Sequence, residues 1–159
     1  MSQKSKYLSL LRKACDNHAI YIWGGQGESV LLDLSDETIY KMETSKENAE
    51  RVIRHINMLK DNGWLTRKTK AYDCSGLICY CLWKCGREEQ FDKCADDLFN
   101  SYKHGYNLRS GCLIHRKGHI ATYIGNRYLI EAKGRDYGVV VSPFDYTDWD
   151  KEYAYPFDD

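Results

Sequence analysis

Residues 71–86 read AYDCSGLICYCLWKCG, and they combine a helix start with a reactive side chain. Asp73 is a good N-cap residue, so Cys74 is expected to begin a helix whose apolar side chains recur at helical spacing. The partial positive charge at a helix N-terminus favours a thiolate over a thiol. Ser75 and Gly76 are small and leave room for a substrate backbone. We therefore predict that Cys74 is a nucleophile.

The other cysteines are expected to be structural. Burial in the core is the commoner fate of a free cysteine, and we expect it for Cys79, Cys81, Cys85 and Cys94. The seven cysteines of the chain are odd in number and irregularly spaced, which does not indicate a disulfide framework. Charged residues also interrupt the N-terminal region, so it lacks the apolar segment of a signal peptide. These features favour synthesis in a reducing cytoplasm.

A cysteine nucleophile needs a base, and His119 is our candidate among the five histidines. It follows Gly118 at the start of a predicted strand, where a ring is held rigidly at an open edge. Glu131 lies in the next predicted strand among apolar residues, and a buried carboxylate there needs a partner. Pairing with His119 would satisfy Glu131 and fix the imidazole tautomer. The alternative for Glu131 is a solvent-facing position on an alternating strand.

The pairing of His119 with Glu131 depends on the turn between their strands. Side chains alternate between the faces of a strand, so a two-residue turn at Gly125–Asn126 would place His119 and Glu131 on opposite faces. A loop of three residues, or a β-bulge, would place them on the same face. We therefore predict an odd-length loop or a bulge, with Glu131 bonded to one ring nitrogen and Cys74 facing the other.

A zinc site is the competing interpretation of the same region. The spacing Cys112-x2-His115-x3-His119 offers ligand types that bind zinc. A fourth ligand is not evident, and Arg116 and Lys117 place two positive charges inside the site. We therefore prefer the interpretation without a metal.

The periodicity of apolar residues predicts the fold class. Helical spacing indicates helices at about 5–17, 45–62, 74–85 and 93–103. The residues Thr44 to Glu47 are typical of a capping box for the second of these. From Gly111 onward the period changes to two, which indicates strands at 112–115, 119–124, 127–132 and 138–141. Helices followed by an antiparallel sheet form an α+β pattern.

The composition excludes some classes of protein. The chain has 159 residues, enough for one compact domain with a hydrophobic core. Lys and Arg together number 23, as do Asp and Glu, and this balance does not favour a nucleic-acid binder. No apolar run is long enough for a transmembrane helix, so membrane insertion is not expected. Thirteen tyrosines and four tryptophans would suit a groove for a polar, extended ligand.

Three stretches of the sequence together resemble the NlpC/P60 family of cysteine peptidases. They are YIWGG at 21–25, DCSGL at 73–77 and HIATYIG at 119–125. The later stretches IEAKG at 130–134 and YGVV at 137–140 resemble the version found in phages and prophages.

The resemblance implies a single catalytic domain over residues 1–159 with a papain-like α+β fold. It also implies hydrolysis of peptidoglycan stem peptides, typically between D-γ-glutamyl and a diamino acid, without a cofactor. Cys74, His119 and Glu131 would be catalytic. Tyr21 would line the site and hold the substrate or the oxyanion, and we add Asp73 and Ser75 to this second group.

The sequence departs from the family pattern at three places. Residues 28–70 form a longer, partly helical insertion, hereafter the inserted segment, which we expect to be a lid, a specificity loop or an ornament. Gly111 is followed by Cys112 where the family usually has an acidic residue. Glu131 occupies a position that is often His, Asn or Gln, although a carboxylate accepts the histidine N–H well.

Two other functions remain open. A CHAP-type N-acetylmuramoyl-L-alanine amidase also uses Cys, His and a carboxylate in that order, and a wall-binding or phage structural module would have an inactive site. In each case the expected partner is the bacterial cell wall. The protein is expected to be made in the bacterial cytoplasm and to act on the wall after release, during phage lysis or from a virion.

Overall fold

The computed structural model describes residues 1–158 and has a mixed α+β architecture. The helices are α1 (Gln3–Asp16), α2 (Val30–Asp33), α3 (Asp36–Met42), α4 (Lys46–Asp61), α5 (Cys74–Lys84) and α6 (Ala95–Phe99). The strands are β1 (Ile20–Tyr21), β2 (Gln26–Ser29), β3 (Lys70–Tyr72), β4 (Lys103–Gly105), β5 (Leu113–Arg116), β6 (His119–Gly125), β7 (Tyr128–Gly134), β8 (Gly138–Pro143) and β9 (Tyr153–Tyr155). The predicted α+β class is confirmed.

Two sheets organise these strands. The larger sheet has six antiparallel strands in the order β4-β9-β5-β6-β7-β8, and the four strands predicted from the sequence form its β5 to β8 portion. The smaller sheet has the order β1-β3-β2, and its β1 and β3 run parallel. The short strands β1 to β4 and β9 were not predicted, because runs of two to four residues show little periodicity.

The main core lies where α1 and α5 pack against one face of the larger sheet. It contains large, fully buried side chains, among them Leu11, Leu77, Leu82 and Ile120. Each such side chain contributes about 1.5–3 kcal/mol through burial. The cluster also fixes the start of α5, because apolar residues of that helix pack directly against β6.

The inserted segment forms its own core against the smaller sheet. Residues of α3 and α4 pack with Ile20 of β1, with Ile22 directly after β1, and with Ala71 of β3. The N-cap of α4 is Ser45, whose side chain accepts a hydrogen bond from the Asn48 backbone N–H. The predicted capping box was therefore wrong by one residue, because the third helical position is Asn48 and not Glu47.

The predicted helix at 93–103 was too long. Only α6 is helical there, and Lys103 to Gly105 pair with β9 as an edge strand. Among the described residues, no helix is long and apolar enough to cross a membrane.

Candidate active site

Asp73 sets the position of Cys74 at the start of α5. The Asp73 backbone is extended, and its carboxylate accepts a hydrogen bond of 2.6 Å from the Gly76 backbone N–H. This is the predicted N-cap. Gly76 has a different role from the one expected, since a Cβ atom there would lie 1.9 Å from the Gly25 carbonyl oxygen. Its missing side chain admits the Gly25 backbone and not a substrate.

The environment of the Cys74 sulfur differs from the sequence expectation. Burial raises the pKa of the Cys74 thiol above its ordinary value, and the negative charge of Asp73 acts in the same direction. Hydrogen bonding from the backbone N–H groups of Ile120, Ser75 and Cys74 lowers that pKa, but less. The position of Cys74 at the start of α5 is therefore not sufficient to ionise its thiol. A thiolate at this position needs a cationic neighbour.

The register between β6 and β7 changes by one residue close to their turn. Tyr123 pairs with Leu129, whereas Gly125 pairs with Tyr128, so Ile124 is an extra residue in β6. This is a β-bulge, one of the two arrangements that the sequence required.

The turn itself contains two residues, Asn126 and Arg127, and both have positive φ angles. This is typical of a tight hairpin turn. A left-handed conformation was predicted for Gly125 or Asn126, and both residues have positive φ angles, of 94° and 53°.

The bulge places His119 and Glu131 on the same face of the sheet. Thr122 pairs with Ile130, so Glu131 lies one step further along and diagonally opposite His119. The His119 Nε2 atom lies 2.8 Å from the Glu131 Oε1 atom, which confirms the predicted hydrogen bond. The ring of Trp149 lies 5.7 Å from the His119 ring and restricts its orientation.

Glu131 is an ionised carboxylate in a buried position, with a side chain only 7% exposed. Burial pushes the pKa of Glu131 upward, but hydrogen bonds from His119 and Ser142 more than offset it, so this pKa lies below its ordinary value. When the imidazole is neutral and Nε2 donates to Glu131, Nδ1 carries the lone pair and can act as a base. The expectation that Nδ1 faces Cys74 stays a prediction.

A cleft of about 390 Å³ opens above Cys74. The predicted residues Tyr21, Asp73 and Ser75 line it together with Cys74. The Ser75 hydroxyl, however, is buried and donates to the Asp73 carboxylate over 3.3 Å. Ser75 is therefore a partner of Asp73, and only its backbone N–H is directed at the cysteine sulfur.

Tyr21 has the properties of a hydrogen-bond donor in this cleft. Burial raises the pKa of its hydroxyl to about 12, and electrostatic interaction with Cys74 and Asp73 adds to the effect. The hydroxyl is therefore protonated at neutral pH. The Arg135 guanidinium lies 5.2 Å from the centre of the Tyr21 ring and supports the ring from outside the cleft.

Several residues of the cleft were not predicted. Trp23, Gln26, Asp92, Cys94 and Asp96 also line it. Cys94 is exposed, so the prediction that it is a buried core residue was wrong, whereas Cys79, Cys81 and Cys85 are buried as expected. Asp92 and Cys94 lie between α5 and α6, where the sequence shows no periodicity that would indicate a cleft wall.

The inserted segment contacts the cleft through Glu43. The Glu43 carboxylate is fully buried and accepts hydrogen bonds of 2.9 Å and 2.7 Å from Nε and Nη2 of Arg135. It also accepts a hydrogen bond of 3.0 Å from the Trp23 backbone N–H. Glu43 therefore joins three elements: the inserted segment, the turn after β7 and the chain that carries Trp23 into the cleft.

Both ring nitrogens of His115 lie next to carboxylates. Its Nε2 atom lies 2.6 Å from Asp96 Oδ1, and its Nδ1 atom lies 2.7 Å from Asp150 Oδ2. Cys112 is buried in an apolar cluster, and His119 is bonded to Glu131. Within residues 1–158 no group of three or more His, Cys, Asp or Glu side chains could hold a metal ion. Cys112, His115 and His119 therefore each have a different environment and do not form one ligand set in this structure.

Comparisons with known proteins agree with this fold. The model of the NlpC/P60 family matches residues 18–156. Among curated proteins, none matches the chain. The P60 domain of the antigen MAP1204 from Mycobacterium avium subspecies paratuberculosis is a similar solved structure, with 20% identity, a TM-score of 0.63, and coverage of 99% of this chain and 96% of that one.

Two proteins of Mycobacterium tuberculosis are also similar in structure. RipD has 17% identity and a TM-score of 0.60, with 97% of each chain covered, and is described as a non-catalytic NlpC/p60 domain protein adapted to peptidoglycan binding. RipB is described as a peptidoglycan hydrolase and has 18% identity and a TM-score of 0.50, with 99% of this chain and 84% of that one covered. At these identities the likeness establishes the fold and leaves the activity to be argued from the site.

Proposed function

The chain belongs to the NlpC/P60 family, and on that premise we propose that it is a peptidoglycan hydrolase that cleaves an amide bond of the stem peptides by covalent catalysis. The observation that carries this proposal is the hydrogen bond between His119 at the start of β6 and the buried Glu131 of β7. The residue after His119 is Ile120, whose backbone N–H lowers the pKa of the Cys74 thiol. We assign the bond between D-γ-glutamyl and a diamino acid as the substrate, following the resemblance of the three sequence blocks.

The proposed reaction begins with proton transfer from the Cys74 thiol to Nδ1 of His119. Glu131 stabilises the resulting imidazolium, and the imidazolium in turn stabilises the thiolate in its buried position. The thiolate attacks the carbonyl carbon, and the negative charge develops on the carbonyl oxygen. The Cys74 backbone N–H and the Tyr21 hydroxyl are the donors we assign to that oxygen.

The second half of the reaction returns the enzyme to its starting state. The His119 imidazolium protonates the leaving amine as the carbon–nitrogen bond breaks, which leaves a thioester on Cys74. His119 then removes a proton from water as the water attacks the thioester. Loss of the thiolate gives the free carboxylic acid, and the proton on His119 restores the thiol.

The test is digestion of purified peptidoglycan of several chemotypes, with mass spectrometry of the products. We expect new amino groups on the diamino acid with wild-type protein and none with Cys74→Ala. Cys94→Ser is the matched control, because Cys94 lines the same cleft, and it should retain activity. Separation of glycan from intact peptide would instead identify an amidase, and wall binding without any product would identify a non-catalytic module.

A further inference from the structure

A second pocket lies on a different part of the molecule from the cleft. It has a volume of about 250 Å³ and lies between α1, β3 with the chain that precedes it, and α5. It shares no lining residue with the cleft above Cys74. Nothing in the proposed hydrolysis uses this pocket, which we call the basic pocket.

The charged residues that line the basic pocket are all positive. Its lining includes four cationic residues, Lys13, Arg67, Lys68 and Lys70, and no acidic residue. This contrasts with the whole chain, in which basic and acidic residues both number 23. Four positive charges around one small cavity repel one another and create a local positive potential, which attracts an anion.

The four cations are also free of carboxylate partners in the part of the chain that the structure describes. Lys70 contacts the Gly27 carbonyl oxygen at 3.5 Å and lies 5.9 Å from the centre of the Tyr80 ring. Lys13, Arg67 and Lys68 are exposed and form no ion pair among residues 1–158. An arriving anion would therefore find donors that are not already occupied.

The floor of the basic pocket is apolar. Leu10, Ala14 and Ala19 contribute to it, and Tyr72 and Tyr80 supply two aromatic rings. A cavity with apolar walls and a few charged groups at its rim is typical of a site for a small molecule. Its volume lies below the usual range of about 300–1,000 Å³ for drug-sized ligands, which indicates a small occupant.

We propose that the basic pocket binds a phosphate group carried on a small, partly apolar body. The guanidinium of Arg67 and the ammonium groups of the lysines match a phosphate, which carries more charge than a single carboxylate and several acceptor oxygens. The phosphate has two possible sources, a soluble phosphoester or a phosphodiester unit of an anionic polymer attached to the wall. This proposal is independent of the hydrolytic activity.

The first experiment measures phosphate binding by NMR titration of the Cys74→Ala protein with inorganic phosphate and with glycerol 3-phosphate. We expect saturable shifts of pocket residues with a Kd on the order of 1 mM or lower, weaker at high salt. The triple variant Lys13→Gln, Arg67→Gln, Lys68→Gln should bind at least about tenfold more weakly. The control variant Lys41→Gln, Lys46→Gln, Lys103→Gln loses the same charge at exposed positions elsewhere and should bind like its parent.

Equal weakening in both triple variants would show a general charge effect and overturn the proposal, as would the absence of saturable binding. A second experiment then identifies the source of the phosphate. Co-sedimentation of the Cys74→Ala protein with native wall, and with wall stripped of phosphodiester polymers by acid, should differ if the polymer is the ligand. Equal co-sedimentation, with the NMR result intact, assigns the pocket to a soluble phosphoester. Because the Cys74→Ala protein is used throughout, both results stand whether or not the wild-type protein hydrolyses the wall.

Discussion

Replacement of Glu43 by glutamine tests whether the inserted segment positions the wall of the cleft. Glu43 accepts two hydrogen bonds from Arg135 and one from the Trp23 backbone N–H, and its side chain is fully buried. Glutamine has nearly the same shape but only one acceptor oxygen and no charge. It can therefore satisfy Arg135 or the Trp23 N–H, and it leaves the buried guanidinium without a counter-charge.

The magnitude follows from the burial of the two partners. Removing one member of a buried ion pair costs about 3–5 kcal/mol, and we expect about 3 kcal/mol because the Arg135 side chain remains 15% exposed and can turn partly towards water. For a domain of this size, 1 kcal/mol changes the Tm by roughly 2–4 °C, so the Tm should fall by about 6–12 °C. A stability of about 5–15 kcal/mol leaves most of the protein folded at 25 °C.

The chain offers a matched control in the pair Arg51–Asp136. This pair also joins the inserted segment to the turn after β7, at 2.9 Å, but its side chains are 37% and 50% exposed. Arg51→Gln should cost no more than about 1 kcal/mol. Calorimetry of both variants gives the comparison, and similar losses of stability in the two would refute the argument from burial.

Stability alone would not show that Glu43 positions the cleft, so the assay includes kinetics on a soluble stem peptide. Because Trp23 lines the cleft, Glu43→Gln should raise the KM more than it lowers the kcat at a temperature where the variant is folded. The double variant Glu43→Gln, Arg135→Met removes the uncompensated charge and should recover part of the Tm but not the KM. An unchanged KM in a folded Glu43→Gln protein would contradict the proposed role of Glu43 in positioning the cleft wall.

Three further predictions concern the residues to which we assign catalytic roles. His119→Ala should slow alkylation of Cys74 near neutral pH, because burial raises the pKa of that thiol, while peptide mapping should show unchanged alkylation of the exposed Cys94. Glu131→Gln should lower kcat by about 10²–10⁴-fold. The pKa of Glu131 is lower in the folded state than in the unfolded state, so its ionised form stabilises the wild type above the unfolded-state pKa. This stabilisation is lost as the pH falls through the folded-state pKa. The difference in denaturation midpoint between wild type and Glu131→Gln should therefore become smaller in acid. Deletion of Ile124 removes the bulge but leaves Tyr123 opposite Leu129, so the His119–Glu131 contact and the activity should be retained. Loss of activity in a protein that circular dichroism shows to be folded would contradict this account of the register.

The sequence was sufficient for elements whose periodicity is long. The helices at α1, α4 and α5 and the strands β5 to β8 lie within a few residues of their predicted ranges, because each has a sustained apolar pattern. The Asp73 N-cap was also predictable, since capping depends on one side chain and the residues directly after it. The ionic contact between Glu43 and Arg135 was not, because residues 92 positions apart meet only through the tertiary fold.

In the cleft, too, residues within local motifs could be predicted, whereas residues that only the tertiary fold brings there could not. Tyr21 and Asp73 belong to motif blocks and were assigned correctly to its lining, whereas Asp92 and Asp96 lie in a region without a pattern. The role of Gly76 was misjudged for a related reason. A glycine next to a nucleophile suggests room for a substrate, but only the structure shows the Gly25 carbonyl oxygen in that space.

The charge states of the site explain why Cys74 cannot be considered alone. A helix N-terminus stabilises an anion by up to about 2 kcal/mol in partly buried geometries. Here, however, burial and the Asp73 charge raise the pKa of the Cys74 thiol. Glu131 shows the opposite balance, because its hydrogen bonds keep it ionised in spite of its burial. A negative charge is thus fixed at Glu131, next to the His119 ring, where the proposed mechanism needs it. The bulge at Ile124 is what brings Glu131 to that ring. In the proposed mechanism, the reactivity of Cys74 therefore depends on a one-residue irregularity in β6 as much as on the residue that begins α5.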